Sequence, residues 1–180
     1  MSSAGGAKGR AVSGLPDIVT AWIGNTVVVV ERTVTVEKES WLSFCAAVED
    51  GNPLYWDEDE ARPYTDGTIA PPAMLPSWGS EQEWYPGKQG GGIRPMELHF
   101  MLKDALGYPN GIATSVELEY HEPLRAGDRV RVEQILRRVG DERPTRLGPG
   151  RDWTIEVAYR RQDLVLLGLQ TITFLAYRSG

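Results

Sequence analysis

The chain has 180 residues and a formal net charge of −6, with a pI near 5.0. That length makes one ordinary domain whose core needs no staples, and the acidic balance argues against nucleic acid as the main partner. A lone cysteine, Cys45, excludes an internal disulfide framework and fits a reducing cytoplasm, and two histidines, His99 and His121, leave nothing for a His-rich metal site.

Residues 1 to about 14 are rich in Ser, Gly and Ala and read as a flexible lead-in to a domain over 15–180. No hydrophobic signal core opens the chain, and no apolar run approaches the roughly 20 residues of a membrane span. The expectation is a soluble cytoplasmic protein. Val27 to Val30 and the alternating Thr33 to Val36 favour extended chain. From Lys38 the period changes, and Trp41, Phe44, Cys45 and Val48 fall on one face of a short amphipathic helix. Gly51 and Pro53 are expected to stop it and force a loop, which displays Asp50 and Asn52.

Ile69 to Leu75, with Pro71 and Pro72, predicts the opening of a second helix. Trp78 to Gly92 reads as an irregular excursion. Its run from Gly87 to Gly92 lacks the Gly-Lys-Ser/Thr ending of a phosphate-binding loop. Met96, Phe100 and Lys103 stand at helical spacing, with Gly107 as the stop. Beyond Gly111 the period becomes two. Val116, Leu118 and Tyr120 alternate with Glu117, Glu119 and His121, which puts His121 on the polar face of a strand. Arg125 to Asp128 is a turn. Val130, Val132 and Leu136 predict the next strand, Trp153, Ile155, Val157 and Tyr159 another, and Thr171 to Phe174 with Ala176 the last. Helices early and antiparallel strands late predict an α+β fold with one covered sheet face.

Four segments carry a family resemblance: Asp50-Gly51-Asn52-Pro53-Leu54, Ile69-Ala70-Pro71-Pro72, Glu119 to Asp128, and Thr145 to Thr154. In this order they resemble the N-terminal, FAS1-like dehydratase branch of the MaoC group of (R)-specific 2-enoyl-CoA hydratases. The resemblance implies a single hot-dog domain, in which an antiparallel sheet wraps a central helix. It also implies a coenzyme A thioester as substrate, no cofactor and no metal. The Arg161-Gln162-Asp163 hairpin departs from the family by lacking its usual Gly.

Hydrating an enoyl thioester requires a carboxylate to orient and deprotonate water, an acid to protonate the α-carbon, and a donor for the thioester oxygen. The resemblance implies that an Asp and a His supply the first two. Backbone N–H groups at the start of the central helix supply the third, where a helix terminus favours negative charge. Here the Asp is Asp50 and the loop Asn is Asn52, but the His position is Tyr55. A phenol titrates near ~10 against ~6.5 for imidazole, and loss of one general acid/base costs ~10²–10⁴ in rate. Pro71 and Pro72 bring no N–H to the thioester oxygen. The resemblance assigns substrate contacts to Trp56, Ile69, Ala70, Pro71 and Met74.

Each residue also has a plainer reading. Asp50 serves equally as a helix-stop residue, Asn52 as a turn brace, Tyr55 as packing beneath the loop, and His121 as part of a structural strand edge rather than a replacement imidazole. Trp78, Trp84 and Tyr85 fit a buried interface better than an acyl wall. The expected function is that of a catalytically degenerate subunit of a heteromeric enoyl-CoA hydratase. It would shape the acyl tunnel while a partner MaoC chain supplies Asp and His. The segment from Leu147 to Trp153 resembles chains of steroid side-chain degradation, which implies a bulky acyl group. A self-sufficient homodimeric hydratase built on Asp50 with Tyr55 or His121, and a non-catalytic acyl-CoA binding protein, are the other readings.

Overall fold

The structure is a computed structural model that describes residues 14–32, 34–80, 86–87 and 96–179. Almost all of the expected lead-in lies outside the described residues, as do Thr33, Trp84, Tyr85 and most of the Gly-rich run. The described strands are β1 (Thr26–Glu31), β2 (Asn110–Tyr120), β3 (Val130–Val139), β4 (Arg143–Thr145), β5 (Gly148–Arg161) and β6 (Leu166–Tyr177). They form one antiparallel sheet in the order β1-β3-β5-β6-β2, with the short β4 paired to β5.

Register explains the core. Trp153 lies opposite Phe174, Ile155 opposite Ile172 and Val132 opposite Tyr159, so the apolar residues of alternating sequence share one face. All are buried. Over that face lies helix α6 (Glu97–Leu106), whose Leu98 and Leu102 are fully buried, each burial contributing about 2 kcal/mol. Buried Gln134 on β3 receives the Leu98 N–H at 2.9 Å, which satisfies one of the unpaired amides of the helix's first turn. Gly107 ends α6 in the left-handed conformation, as its sequence position predicts. The result is the expected α+β architecture, a sheet wrapped over a helix.

Several local expectations are corrected. The first strand ends at Glu31, and Val36 is buried in irregular chain through its N–H to the Asp128 carbonyl. Helix α2 (Lys38–Val48) buries Trp41 and Cys45 as expected, but Val48 is exposed because the last turn projects beyond the core. It stops at Glu49, which takes the left-handed conformation at φ 58°, rather than at Gly51 or Pro53. Pro53 instead opens the short helix α3 (Pro53–Trp56), and α4 (Glu58–Thr65) follows. The second predicted helix is broken: Pro72–Met74 form a 3₁₀ turn and α5 (Leu75–Gly79) is five residues long. Helix α6 forms where the spacing of Met96, Phe100 and Lys103 places it, and its buried residues are Leu98, His99 and Leu102. Helix α1 (Asp17–Trp22) and strand β4 have no counterpart in the sequence pattern. On β2 the alternation is real, yet Val116, Leu118 and Tyr120 are exposed.

Candidate functional site

The Asp50–Trp56 segment is a hydrogen-bonded knuckle. The Asp50 N–H returns to the Cys45 carbonyl at 2.9 Å, continuing the end of α2. Asp50 Oδ1 accepts the Asn52 N–H at 3.0 Å, and Asn52 Oδ1 accepts the Leu54 N–H at 3.1 Å, so Asn52 is the N-cap of α3. Trp56 Nε1 donates to the Asp50 carbonyl at 2.7 Å, and Trp41 Nε1, from inside the core, donates to the Tyr55 carbonyl at 3.1 Å. Asp50, Asn52 and Tyr55 are thereby brought together.

Tyr55 is buried. Burial raises its phenol pKa, the Asp50 carboxylate raises it further, and the Asn52 side chain partly offsets both. The Cys45 thiol is pushed up by burial and by the same carboxylate. A buried phenol held above its ordinary range keeps its proton at neutral pH, so it can donate a hydrogen bond but makes a poor proton shuttle.

Two backbone bonds tie this knuckle to a cavity. The Ile69 N–H reaches the Leu54 carbonyl at 3.1 Å, and the Ala70 N–H reaches the Leu124 carbonyl at 2.8 Å. Beside them opens a cavity of about 630 Å³, walled by the end of α4 from Arg62, by Ile69 to Pro72 with Leu75, and by Tyr120 to Arg125 with Leu167. Of the expected substrate contacts, Ile69, Ala70 and Pro71 line it. Trp56 and Met74 are not part of that lining. Trp56 is partly exposed above the knuckle, and Met74 packs against the core. Asp50, Asn52 and Tyr55 likewise stand outside the lining.

The two imidazoles have opposite fates. His99 is buried on α6, where its ring lies 4.0 Å from that of Phe174 and its Nδ1 accepts the Trp153 Nε1 proton at 3.2 Å. Burial, and then the Lys103 charge, lower its pKa to about 4, so it is neutral and structural. His121 follows directly on β2, with its N–H bonded to the Leu167 carbonyl at 2.9 Å. It lines the cavity, and its Nε2 stands 3.3 Å from Glu119 Oε1. From sequence the Tyr120–Arg125 segment reads chiefly as a strand edge, and nothing there singles out Arg62 to Asp66. Arg125 joins these two walls by donating to the Thr65 and Asp66 carbonyls. The segment is legible as a motif, but its approach to Ile69 requires the fold.

The match that decides the family is to the model described as FAS1-like, dehydratase domain region, over residues 21–163. The chain belongs to this FAS1-like dehydratase family. It is 32% identical over 166 residues to a protein of Thermomonospora curvata named as a probable enoyl-CoA hydratase alpha subunit, with 88% of this chain and 50% of that protein covered. The chain thus spans about half the length of that relative. Among solved structures it resembles a chain of the ChsH1-ChsH2 complex from Mycobacterium tuberculosis at 23% identity and a TM-score of 0.71, covering 91% of this chain and 90% of that one. It also resembles the MaoC-like dehydratase from Rhodospirillum rubrum at 17% identity and a TM-score of 0.58, covering 87% and 94%. These likenesses place the domain in the MaoC-like hot-dog fold. Among the described residues no group of His, Cys, Asp or Glu could hold a metal ion, and no helix is long and apolar enough to cross a membrane.

Proposed function

We propose that this FAS1-like dehydratase domain is one subunit of a heteromeric 2-enoyl-CoA hydratase. It shapes the pocket for the acyl group, and a MaoC-type partner supplies the paired Asp and His. The observation that carries this reading is the mismatch between cavity and catalytic equipment. A cavity of about 630 Å³ has the volume of a small-molecule site. At the knuckle beside it the residue in the histidine's place is Tyr55, a buried phenol that retains its proton. Asp50 spends one carboxylate oxygen on the Asn52 N–H, as a loop brace does. The subunit name of the Thermomonospora curvata relative supports a multi-chain enzyme of this reaction class. A bulky steroid-type acyl group, suggested by the Leu147–Trp153 segment, is the substrate class to try first, with the coenzyme A thioester entering as substrate and no cofactor required.

The reaction on this reading adds water across the 2-enoyl double bond. The partner's carboxylate takes a proton from water as oxygen attacks the β-carbon, and the partner's imidazole returns a proton to the α-carbon. This chain contributes shape and exclusion of water through Ile69, Ala70, Pro71 and Leu75. The test is hydration of an enoyl-CoA followed spectrophotometrically, with the purified chain alone and then mixed with an Asp/His-bearing MaoC subunit. Silence alone and turnover on mixing are expected. Turnover by the chain alone at ordinary enzymatic rates refutes the reading.

One observation favours the self-sufficient alternative, namely His121 on the cavity wall 3.3 Å from Glu119. If that pair acts as acid/base, His121→Gln abolishes hydration by the chain alone. The non-catalytic reading predicts thioester binding with no active complex under any mixture.

A further inference from the structure

Arg151 opens the core-facing row of β5 that continues through Trp153, Ile155 and Val157. It is only 8% exposed, so a guanidinium stands where the alternation calls for an apolar side chain. A buried charge is costly unless a countercharge and hydrogen bonds meet it. Among the described residues no carboxylate bridges Arg151. Its Nη1 donates to the Gly140 carbonyl at 3.0 Å, and its Nε is buried with no partner. The next residue, Asp152, lies on the other side of β5, where Arg143 holds it at 2.8 Å.

Arg151 lines another cavity, of about 190 Å³, whose wall includes Leu106, Tyr108, Glu142 and Arg178. Arg178 is the fixed part of that wall. Its Nε and Nη2 donate to the Gly107 and Leu106 carbonyls at the end of α6, and its Nη1 to Glu142 Oε2, each at 2.9 Å. Its guanidinium lies 4.3 Å from the centre of the Tyr108 ring, and the Tyr108 hydroxyl donates to the same Glu142 oxygen. Burial and then Glu142 raise the Tyr108 phenol, and hydrogen bonding from Arg151 partly offsets them. Two guanidinium groups face one carboxylate, so the wall keeps one positive charge in excess. The site is remote from the larger cavity. Leu167, near the start of β6, lines that one, and Arg178, just past the end of β6, lines this one, about 35 Å further along an extended strand.

We propose that this cavity binds a small oxyanion of the phosphate class, with Arg151 as its principal ligand and Arg178 as the flanking cation. The planar fork of a guanidinium matches phosphate oxygens in pairs, and hydrogen bonds between ionised groups are the strong ones. Volume selects the size of the ligand. Sites for drug-sized molecules run to ~300–1,000 Å³, so about 190 Å³ takes a phosphate group and excludes an acyl chain. A phosphate held there supplies the countercharge that Arg151 lacks and ties the Gly140 turn and β5 to the end of α6. The site stands independently of the hydratase reading, and the failure of either leaves the other in place.

The test is an NMR titration of the full chain with inorganic phosphate, against sodium chloride at matched ionic strength. The amide signals of Tyr108, Gly140, Arg151 and Arg178 are expected to shift and saturate, with the melting temperature rising in step. Glu142→Gln removes the competing carboxylate from a half-exposed position and is expected to tighten binding several-fold. Arg151→Lys keeps the charge but loses the fork, and is expected to weaken binding about tenfold or more. If Arg151→Lys does not fold, the comparison with Glu142→Gln decides alone. Adenosine monophosphate is the second probe. Shifts of these amides by inorganic phosphate only assign the site to the free ion, and shifts by both assign it to a phosphate carried on a larger molecule; each outcome supports the site. Shifts that neither probe saturates, or that chloride reproduces, overturn the proposal. Binding that both variants leave unchanged overturns it as well.

Discussion

The buried imidazole of His99 makes stability depend on pH in a calculable way. In the folded chain its pKa is about 4, lowered first by burial and then by Lys103, against an ordinary value of 6.5. Because the folded value lies below the unfolded one, the unfolded chain takes up the proton first. The stability from neutral His99 is complete above about 6.5, falls as pH drops below it, and stops falling below about 4. Each tenfold difference in proton affinity between the two states corresponds to about 1.4 kcal/mol. Between pH 7 and pH 5 the linkage removes about 2 kcal/mol, a large part of the ~5–15 kcal/mol that holds a domain together. Urea unfolding at pH 7, 6 and 5 measures this as a fall in midpoint at constant slope. His99→Gln keeps an acceptor for Trp153 Nε1 but cannot titrate. It is expected to lower stability at pH 7, because the contact with Phe174 is lost, and to flatten the dependence from pH 7 to 5. If His99→Gln keeps that dependence, the assignment of the buried proton site is wrong.

Three other substitutions probe the frame. Asn52→Ala removes the N-cap of α3 and is expected to cost about 1 kcal/mol in urea unfolding. Gly111→Ala would set its Cβ 2.8–2.9 Å from the His99 ring. It is expected to destabilise by about 1–3 kcal/mol, seen as a lower melting temperature. Leu164 holds φ 69° in the hairpin that lacks the family's glycine, a conformation costing an L-residue about 1–2 kcal/mol. Leu164→Gly relieves this against a chain-entropy cost of about 0.5–1 kcal/mol, so a rise in melting temperature is expected and a fall contradicts the strain.

The strands were legible because their period of two survives folding. Val130 and Val132, the residues from Trp153 to Tyr159, and Ile172 to Ala176 alternate in sequence and are buried in space. Gly107 was legible as a helix stop for the same local reason, since a left-handed C-cap favours glycine. Helix α3 was not: Asn52 and Pro53 read as a loop, whereas the Asn52 side chain caps a turn that Pro53 begins. The face of α6 was missed because a histidine reads as polar, and only Trp153 and Phe174 make it a core residue.

That Asp50, Asn52 and Tyr55 lie together was legible from the motif alone, because they are close in sequence and the knuckle's hydrogen bonds are local. The cavity was only partly found, since its walls from α4 and the segment after Thr68 meet one from the end of β2, more than fifty residues after Ile69 in sequence. By itself the sequence determined composition class, strand alternation, the family motifs and the absence of a histidine at Tyr55, all properties of neighbouring residues. The tertiary structure alone decided that His99 is buried and His121 faces the cavity, that the apolar row of β2 is exposed, and that Ile69 and Tyr120 share one wall. Those facts depend on which distant segments the sheet brings side by side, and burial, unlike periodicity, is a property of the whole fold.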